Sequence, residues 1–313
     1  MHSTISGTGC YLPAQVLTND EIAVRVDTSD QWIRSMTGIR CRHVSAPDEQ
    51  ASDMALVASR EALSAAGIGP ADLDLIVAAT ITPDMVFPST AALLQARLGA
   101  RHVGAFDLSA ACCGFIYGLT MADAMICNGT ARHVLVVGTE KMSRLLDWSD
   151  RSTCVLFGDG AGAAIVSASE QPGVRAATLH ADGSQPAVLN CAPYLGRPFI
   201  HMDGGAVFRF AVRGMVEAAN ETLAATNTSI DEVDWMIPHQ ANLRIIEAAA
   251  RKLGLPQERL VVSVDHHANT SAASIPMALD EAVRSGRVKP GHTVLLVGVG
   301  GGFTWGSVLI RWT

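Results

Sequence analysis

One run of landmarks occurs twice in this chain, about 160 residues apart. Asp72-Leu-Asp-Leu-Ile-Val is matched by Glu232-Val-Asp-Trp-Met-Ile, and Gln95-Ala-Arg-Leu-Gly by Ala250-Arg-Lys-Leu-Gly. Asp107 before Cys112 is matched by Asp265 before Thr270-Ser-Ala-Ala-Ser, and His133-Val-Leu-Val-Val-Gly by Thr293-Val-Leu-Leu-Val-Gly. The period is too long for a solenoid and fits a duplicated domain. Each copy alternates β-rich apolar runs with Ala-rich helical runs, the pattern of βαβ units with largely parallel strands. The expectation is an α/β fold of two duplicated βαβ halves, residues 1–170 and 171–313. The break at Gln171-Pro-Gly has no linker composition, so the halves are expected to form one rigid body.

Strands are expected at Leu73–Ala79, Val103–Leu108, Val134–Gly138, Ala161–Ser167, Asp234–Ile237, Leu260–Val264 and Ser307–Arg311. Helices are expected at Ser89–Leu98, between Pro88 and Gly99, and at Cys112–Cys127. With 49% hydrophobic and 17% charged residues, the chain reads as an enzyme with a large buried core. A net charge of −7 argues against affinity for nucleic acid. The first residues lack the basic flank and apolar run of a signal peptide, and no apolar stretch reaches the ~18–20 residues of a membrane span. A cytoplasmic location is expected. Seven irregularly spaced cysteines with no Cys-x-x-Cys support neither a disulfide framework nor a zinc knuckle.

Ligands of α/β folds gather at the carboxyl ends of strands. Paired halves would place equivalent strand-to-helix junctions face to face, so Cys112 should face the region of Asn269. At a helix N-terminus a cysteine pKa can fall from ~8.5 to roughly 3.5–7.5. Neighbouring helical residues point about 100° apart, so only one cysteine of the pair can face a pocket. Cys112 lies nearer the junction, and Cys113 is expected to pack. Spacing alone allows both to be packing residues, the usual state of free cysteine. His239 follows a strand and could enter the same crevice or be structural. His266 and His267 suggest a metal, but adjacent side chains are expected to diverge and no third ligand has a useful spacing; no metal is expected. Gly298-Val-Gly-Gly-Gly-Phe has Phe303 where a dinucleotide loop needs its third glycine, and it leads into a strand. Gly300 to Gly302 are better suited to close backbone approach and an oxyanion hole.

Together these segments resemble β-ketoacyl-acyl-carrier-protein synthase III, of the thiolase-like superfamily. The resemblance spans Gly7-Thr-Gly-Cys-Tyr-Leu-Pro13, Val26-Asp-Thr-Ser-Asp-Gln-Trp-Ile33, Thr37-Gly-Ile-Arg40, Phe87-Pro-Ser, Phe157-Gly-Asp-Gly-Ala-Gly-Ala163 and His180-Ala-Asp-Gly-Ser184. It continues through Pro238-His-Gln-Ala-Asn-Leu-Arg-Ile-Ile246, Asn269-Thr-Ser-Ala-Ala-Ser-Ile-Pro276 and Gly300-Gly-Gly-Phe-Thr-Trp-Gly-Ser307. It implies a thiolase-like fold, a layered α-β-α-β-α sandwich. Cys112 falls on the acyl-accepting nucleophile, His239 and Asn269 on the other members of the triad. The amides of Cys112 and Gly301 fall on the oxyanion hole. The implied reaction joins a short acyl group, carried from acyl-CoA on Cys112, to malonyl-acyl-carrier protein with loss of carbon dioxide. No metal or cofactor is implied.

The resemblance further implies coenzyme A contacts at Thr28, Trp32 and Arg151, and an acyl pocket of Phe157, Phe208 and Val299. Phe87 would reach into the pocket of a second subunit, so a homodimer is implied. Arg209, Arg244, Arg251 and Lys252 would dock the acidic carrier protein; the last three share a helix face. Three positions depart from the family. Met36 stands where arginine often stacks on adenine, a cation–π contact of ~0.5–2 kcal/mol unless Arg34 or Arg40 substitutes. Gly205 replaces an asparagine, and Val299 replaces a phenylalanine near the thiol. The segment from Gln185 to His201 is also shorter. Two enzyme readings stay open: the initiating synthase of fatty-acid synthesis, and a specialised relative with another acyl donor or acceptor. A non-catalytic carrier-protein-binding subunit would typically have lost the nucleophile, which this chain retains.

Overall fold

Apolar runs ending in small residues build two sheets that face each other across a pair of buried helices. The computed structural model describes residues 1–101 and 103–313. In the first half the elements are β1 (His2–Tyr11), β2 (Gln15–Thr18), α1 (Asn19–Ala23), α2 (Asp30–Thr37), β3 (Cys41–Val44), α3 (Ala51–Ala66), β4 (Leu75–Ala79), α4 (Thr90–Leu98), β5 (Gly104–Leu108), α5 (Gly114–Cys127), β6 (His133–Glu140), α6 (Arg151–Cys154) and β7 (Gly160–Ser169). The second half holds β8 (Val174–Ala181), β9 (Leu189–Ala192), β10 (Arg197–Met202), α7 (Gly204–Ala225), β11 (Trp235–Pro238), α8 (Leu243–Leu253), α9 (Val264–His267), α10 (Ser274–Arg284), β12 (Thr293–Gly300) and β13 (Thr304–Arg311).

The first sheet runs β1-β7-β6-β4-β5 and the second β8-β13-β12-β11. Position for position, the strand senses agree. The sheets are mixed, which corrects the expectation of largely parallel strands. β4 is parallel to β5 and β6, and β11 to β12; β1–β7, β6–β7, β12–β13 and β13–β8 are antiparallel. Parallel neighbours need a crossover helix, whereas β12 and β13 are joined by a tight turn that forces antiparallel pairing.

The strand expected at Leu260–Val264 does not form. Leu260 makes an isolated parallel bridge to Met236, and Val261 N–H donates to Met236 O at 3.0 Å. The pairing then stops because the Gln240 carboxamide takes over the backbone. Its Oε1 accepts from Ser263 N at 2.8 Å and Val264 N at 3.0 Å, and its Nε2 donates to Val261 O at 3.2 Å. With those groups satisfied by a side chain, the ladder has nothing left to pair. Asp107, near the end of β5, uses its carboxylate to accept from Thr90 N and Ala91 N and so caps α4.

α5 and α10 form the middle layer. Phe115, Ile116 and Leu119 of α5 and Ile275 and Leu279 of α10 share one core with Val77 and Val136 of the first sheet and Leu296 and Val308 of the second. Each such fully buried side chain contributes roughly 1.5–3 kcal/mol. α3 and α4 cover the outer face of one sheet, α7 and α8 that of the other. The result is the layered α-β-α-β-α arrangement. Each buried helix is entered through a 3-10 turn, Ala111–Cys113 before α5 and Ser271–Ala273 before α10. Both turns open on a non-glycine residue in the left-handed region, Ala111 at φ 46° and Ser271 at φ 50°. Each turn also rests on a glycine of the opposite sheet. A Cβ on Gly138 would collide with Ala272 O, and one on Gly298 would lie 2.9 Å from Cys113 Sγ. Among the described residues no helix is long and apolar enough to cross a membrane.

Candidate active site

The Ala111–Cys113 turn places Cys112 one turn ahead of α5, which begins at Gly114. Cys112 is 9% exposed. Burial pushes its thiol up to about 12; the Glu140 carboxylate adds to the rise, while hydrogen bonding from Ser271 opposes it. Burial thus runs against the lowering expected at a helix N-terminus. Cys113 is fully buried against Gly298, a packing residue as expected, and burial raises its thiol well above the usual range.

His239 extends the β11 ladder by one residue, donating its N–H to Val297 O at 2.8 Å. Its Nδ1 lies 2.6 Å from Ser274 Oγ, which accepts from Gln240 N at 3.3 Å. With the Ser274 proton turned to Nδ1, the ring carries its own hydrogen on Nε2. Burial pushes His239 down to about 3, so the imidazole is neutral. Asn269 is held by its backbone: its N–H donates to Leu156 O at 3.0 Å, and its carbonyl accepts from Gly158 N at 3.1 Å. Its side-chain Oδ1 accepts from Ser271 N at 2.9 Å. That leaves the Nδ2 edge free to donate.

Cys112, His239 and Asn269 line one cavity of about 130 Å³. Phe157, Phe208, Val299 and Phe303 supply much of its apolar wall. Gly300 also lines it, and a Cβ there would lie 2.7 Å from Cys112 N; Gly301 follows it, next to the wall residue Leu189. Phe87 is elsewhere, 83% exposed on a loop with Met85 and Val86.

A second cavity of about 500 Å³ adjoins the first, and Leu156, Gly204, Phe208 and Asn242 line both. Trp32, Met36, Arg151, Gly205, Arg209 and Arg244 surround it. The Arg151 guanidinium lies over the Trp32 ring at 4.8 Å, and its Nη1 donates to Asp27 O at 2.7 Å. Neither Arg34 nor Arg40 takes the place left by Met36, because Asp30 holds Arg34 at 3.1 Å and Asp265 holds Arg40 at 3.8 Å. Arg244 instead approaches Met36 Sδ at 3.8 Å. Thr28 is not on the wall; its hydroxyl is buried without a partner. Arg251 and Lys252 are exposed in the last turn of α8, outside both cavities.

The two histidines do not diverge as expected. The His266 and His267 rings meet edge to face at 4.2 Å, and Glu281, brought in by α10, lies 3.0 Å from His266 Nε2 and 3.9 Å from His267 Nε2. These three could hold a metal geometrically. Most of their polar atoms are already engaged, His266 Nδ1 with Asp265 at 2.8 Å and the other Glu281 oxygen with Arg287 at 2.8 Å, while His267 Nδ1 is buried without a partner. His266, Glu281 and Arg287 read as a half-buried ion network, with His267 buried behind it and kept neutral by that burial.

Two family models match the chain: the 3-oxoacyl-[acyl-carrier-protein] synthase III model over residues 106–183 and its C-terminal model over residues 223–312. A β-ketoacyl-[acyl-carrier-protein] synthase III of Xanthomonas campestris pv. campestris is 54% identical over 100% of this chain and 99% of its own length. The chain belongs to the 3-oxoacyl-[acyl-carrier-protein] synthase III family. Synthase III of Aquifex aeolicus superposes with a TM-score of 0.96 at 49% identity, covering 99% of this chain and 100% of the other. The priming β-ketosynthase of the R1128 polyketide pathway gives 0.95 at 40% identity, covering 99% and 96%. As a β-ketoacyl-acyl-carrier-protein synthase III with the thiolase fold, the protein is an acyltransferase of fatty-acid synthesis.

In this synthase III several residues around the site escaped the sequence reading. Ser271 and Ser274 lie within the Asn269–Pro276 motif, where nothing local separates a positioning hydroxyl from a helix-start serine. Glu140 is the acid that ends the apolar run His133–Glu140; a carboxylate at the carboxyl end of a buried strand was the available signal.

Proposed function

We propose that this synthase III joins a short acyl group from acyl-CoA to malonyl-acyl-carrier protein by decarboxylative condensation through an acyl-Cys112 intermediate. The observation that carries the reading is that Cys112 shares one cavity with His239 and Asn269. The thiolate attacks the acyl thioester, and the Cys112 and Gly301 amides receive the oxyanion. His239 Nε2–H and Asn269 Nδ2 then hold the malonyl thioester oxygen as carbon dioxide departs. The resulting carbanion attacks the acyl-Cys112 carbonyl. A neutral histidine and a carboxamide suit this step, which needs donors at a developing enolate and no strong base. The chemistry calls for no metal or bound cofactor.

In the same proposal, the second cavity takes coenzyme A, with Trp32 and Arg151 against the nucleotide and Thr28 behind them. Arg209, Arg244, Arg251 and Lys252 receive the acidic carrier protein. The exposed Phe87 supports a homodimer in which it enters the partner's acyl pocket. The division into residues 1–170, bearing the thiol, and 171–313, bearing the donors, and a cytoplasmic location complete the reading. Intact mass after exposure to a panel of acyl-CoAs tests it. An adduct lost in Cys112→Ala, and discharged as a β-ketoacyl product by malonyl-carrier protein, is expected; an adduct that survives Cys112→Ala overturns it.

A second reading, a priming enzyme with a bulkier or unusual acyl donor, draws on Val299. Valine leaves more room beside the thiol than the phenylalanine expected there. The same panel ranks the donors.

A further inference from the structure

In its resting state Cys112 is a thiol, so its proton must go somewhere before it can attack. His239 is a poor destination: burial disfavours its charged form, and Ser274 lies at its Nδ1. A different group lies behind the sulfur. Glu140, at the end of β6, is fully buried. Its Oε1 accepts from Ser271 Oγ at 2.9 Å, and its Oε2 from Thr82 Oγ1 at 2.6 Å and Thr80 Oγ1 at 3.2 Å; Ile81 N–H donates to both. All these partners are neutral donors. Lys141, next in sequence, turns its ammonium to the carbonyls of Ala46, Pro47 and Glu49. Asp159 is taken up by Ser45 and Ser143. The Glu140 carboxylate is close enough to Cys112 to oppose its ionisation. A buried carboxylate without a counter-ion is costly and calls for a reason.

We propose that Ser271 and Glu140 form the proton relay that activates Cys112. This rests on Cys112 being the acyl acceptor. The Cys112 S–H bond breaks and its proton passes to Ser271 Oγ, while the Ser271 hydroxyl proton passes to Glu140 Oε1. The electron pair stays on sulfur. One negative charge moves from carboxylate to sulfur, so the buried site gains none. Loss of the proton to water would instead place a second anion beside Glu140. When the acyl thioester is attacked, the charge leaves with the departing thiolate. The proton on Glu140 is then available through Ser271 to that thiolate, and Glu140 is ionised again. Burial raises the Glu140 carboxyl to about 7, a basicity matched to this task near neutral pH. Ser271 opens the turn that packs against the Cys112 turn and hydrogen-bonds Glu140, so Glu140 acts through it.

The test is the rate of Cys112 alkylation by iodoacetamide against pH, read by mass in the wild type, Glu140→Gln, Ser271→Ala and the double variant. The wild type should show an ionisation limb near pH 7, a property of the thiol–carboxyl pair. Both single variants should lose that limb and slow by about a hundredfold at neutral pH, and the double variant should be no slower. Ser271→Ala removes only a hydroxyl and keeps the N–H that Asn269 accepts, so it carries the test alone should Glu140→Gln fail to fold. A variant that keeps the wild-type profile, or losses that multiply in the double variant, overturns the relay. Alkylation with the limb intact in wild type but no acylation by any thioester overturns the acyl-acceptor reading and still supports the relay.

Discussion

Ser271 donates its backbone N–H to the side-chain oxygen of Asn269 at 2.9 Å, and that bond decides which edge of the carboxamide the cavity meets. The oxygen is consumed, so the amino group is what remains. Asn269→Asp preserves the bond and replaces the donor with a negative edge. Acylation of Cys112 should survive, while carbon dioxide release from malonyl-carrier protein falls by about 10²–10³. Separate single-turnover assays of the two steps check this; equal losses in both would contradict it.

His239 has its pKa pushed by burial from 6.5 down to about 3. Between those values the unfolded chain binds the proton and the folded one does not. Stability therefore rises with pH through that window and is lost as pH falls through it. The condensation step, started from pre-acylated enzyme, should show no acid limb from this imidazole between pH 5 and 8. Ser274→Ala removes the partner of Nδ1 and should cost condensation about tenfold. Rapid-quench measurement across that range reads both.

Glu140 gives the opposite linkage. Its folded pKa is raised from 4.5 to about 7, so the unfolded chain ionises first and stability falls as pH rises between them. Glu140→Gln should be more stable than wild type at pH 8, by at most roughly 3 kcal/mol. It should gain nothing at pH 4. Urea unfolding at the two pH values reads the difference.

Gly138 has no space for a side chain, because the turn carrying Ser271 rests on it. Gly138→Ala should destabilise by about 1–3 kcal/mol. It should also slow both decarboxylation and Cys112 alkylation, since the displaced turn carries Ser271 and holds Asn269. Cys113→Ala, by contrast, should lower stability by about 1 kcal/mol and leave acylation intact.

Trp32 and Arg151 are stacked at 4.8 Å. If they bind coenzyme A, either truncated to alanine should raise KM for acyl-CoA several-fold with kcat nearly unchanged. Unchanged KM in both would remove the second cavity from the reading.

The alternation of apolar strands and Ala-rich helices was legible because it is a local pattern, and so was the pairing of the Cys112 turn with the Asn269 turn. What escaped was non-local. The Leu260–Val264 strand is cancelled by one carboxamide, that of Gln240, 23 residues before the Ser263 it binds. The Cys112 thiol is set by depth of burial, which a helix-terminus argument cannot weigh. His266 and His267 converge because α10 brings Glu281 beside them. Glu140 stood out only as a carboxylate ending a buried strand; that it meets Ser271, 131 residues away, was not legible.

The reciprocal seating of the two turns has a mechanical corollary. The thiol stands on a floor laid by the β12 strand, and the amide on one laid by β6, so neither sheet owns a finished workplace. Loosening either sheet would disarm chemistry carried by the other before the molecule melted. Damage far from the cavity, on either side, would then register first as lost turnover.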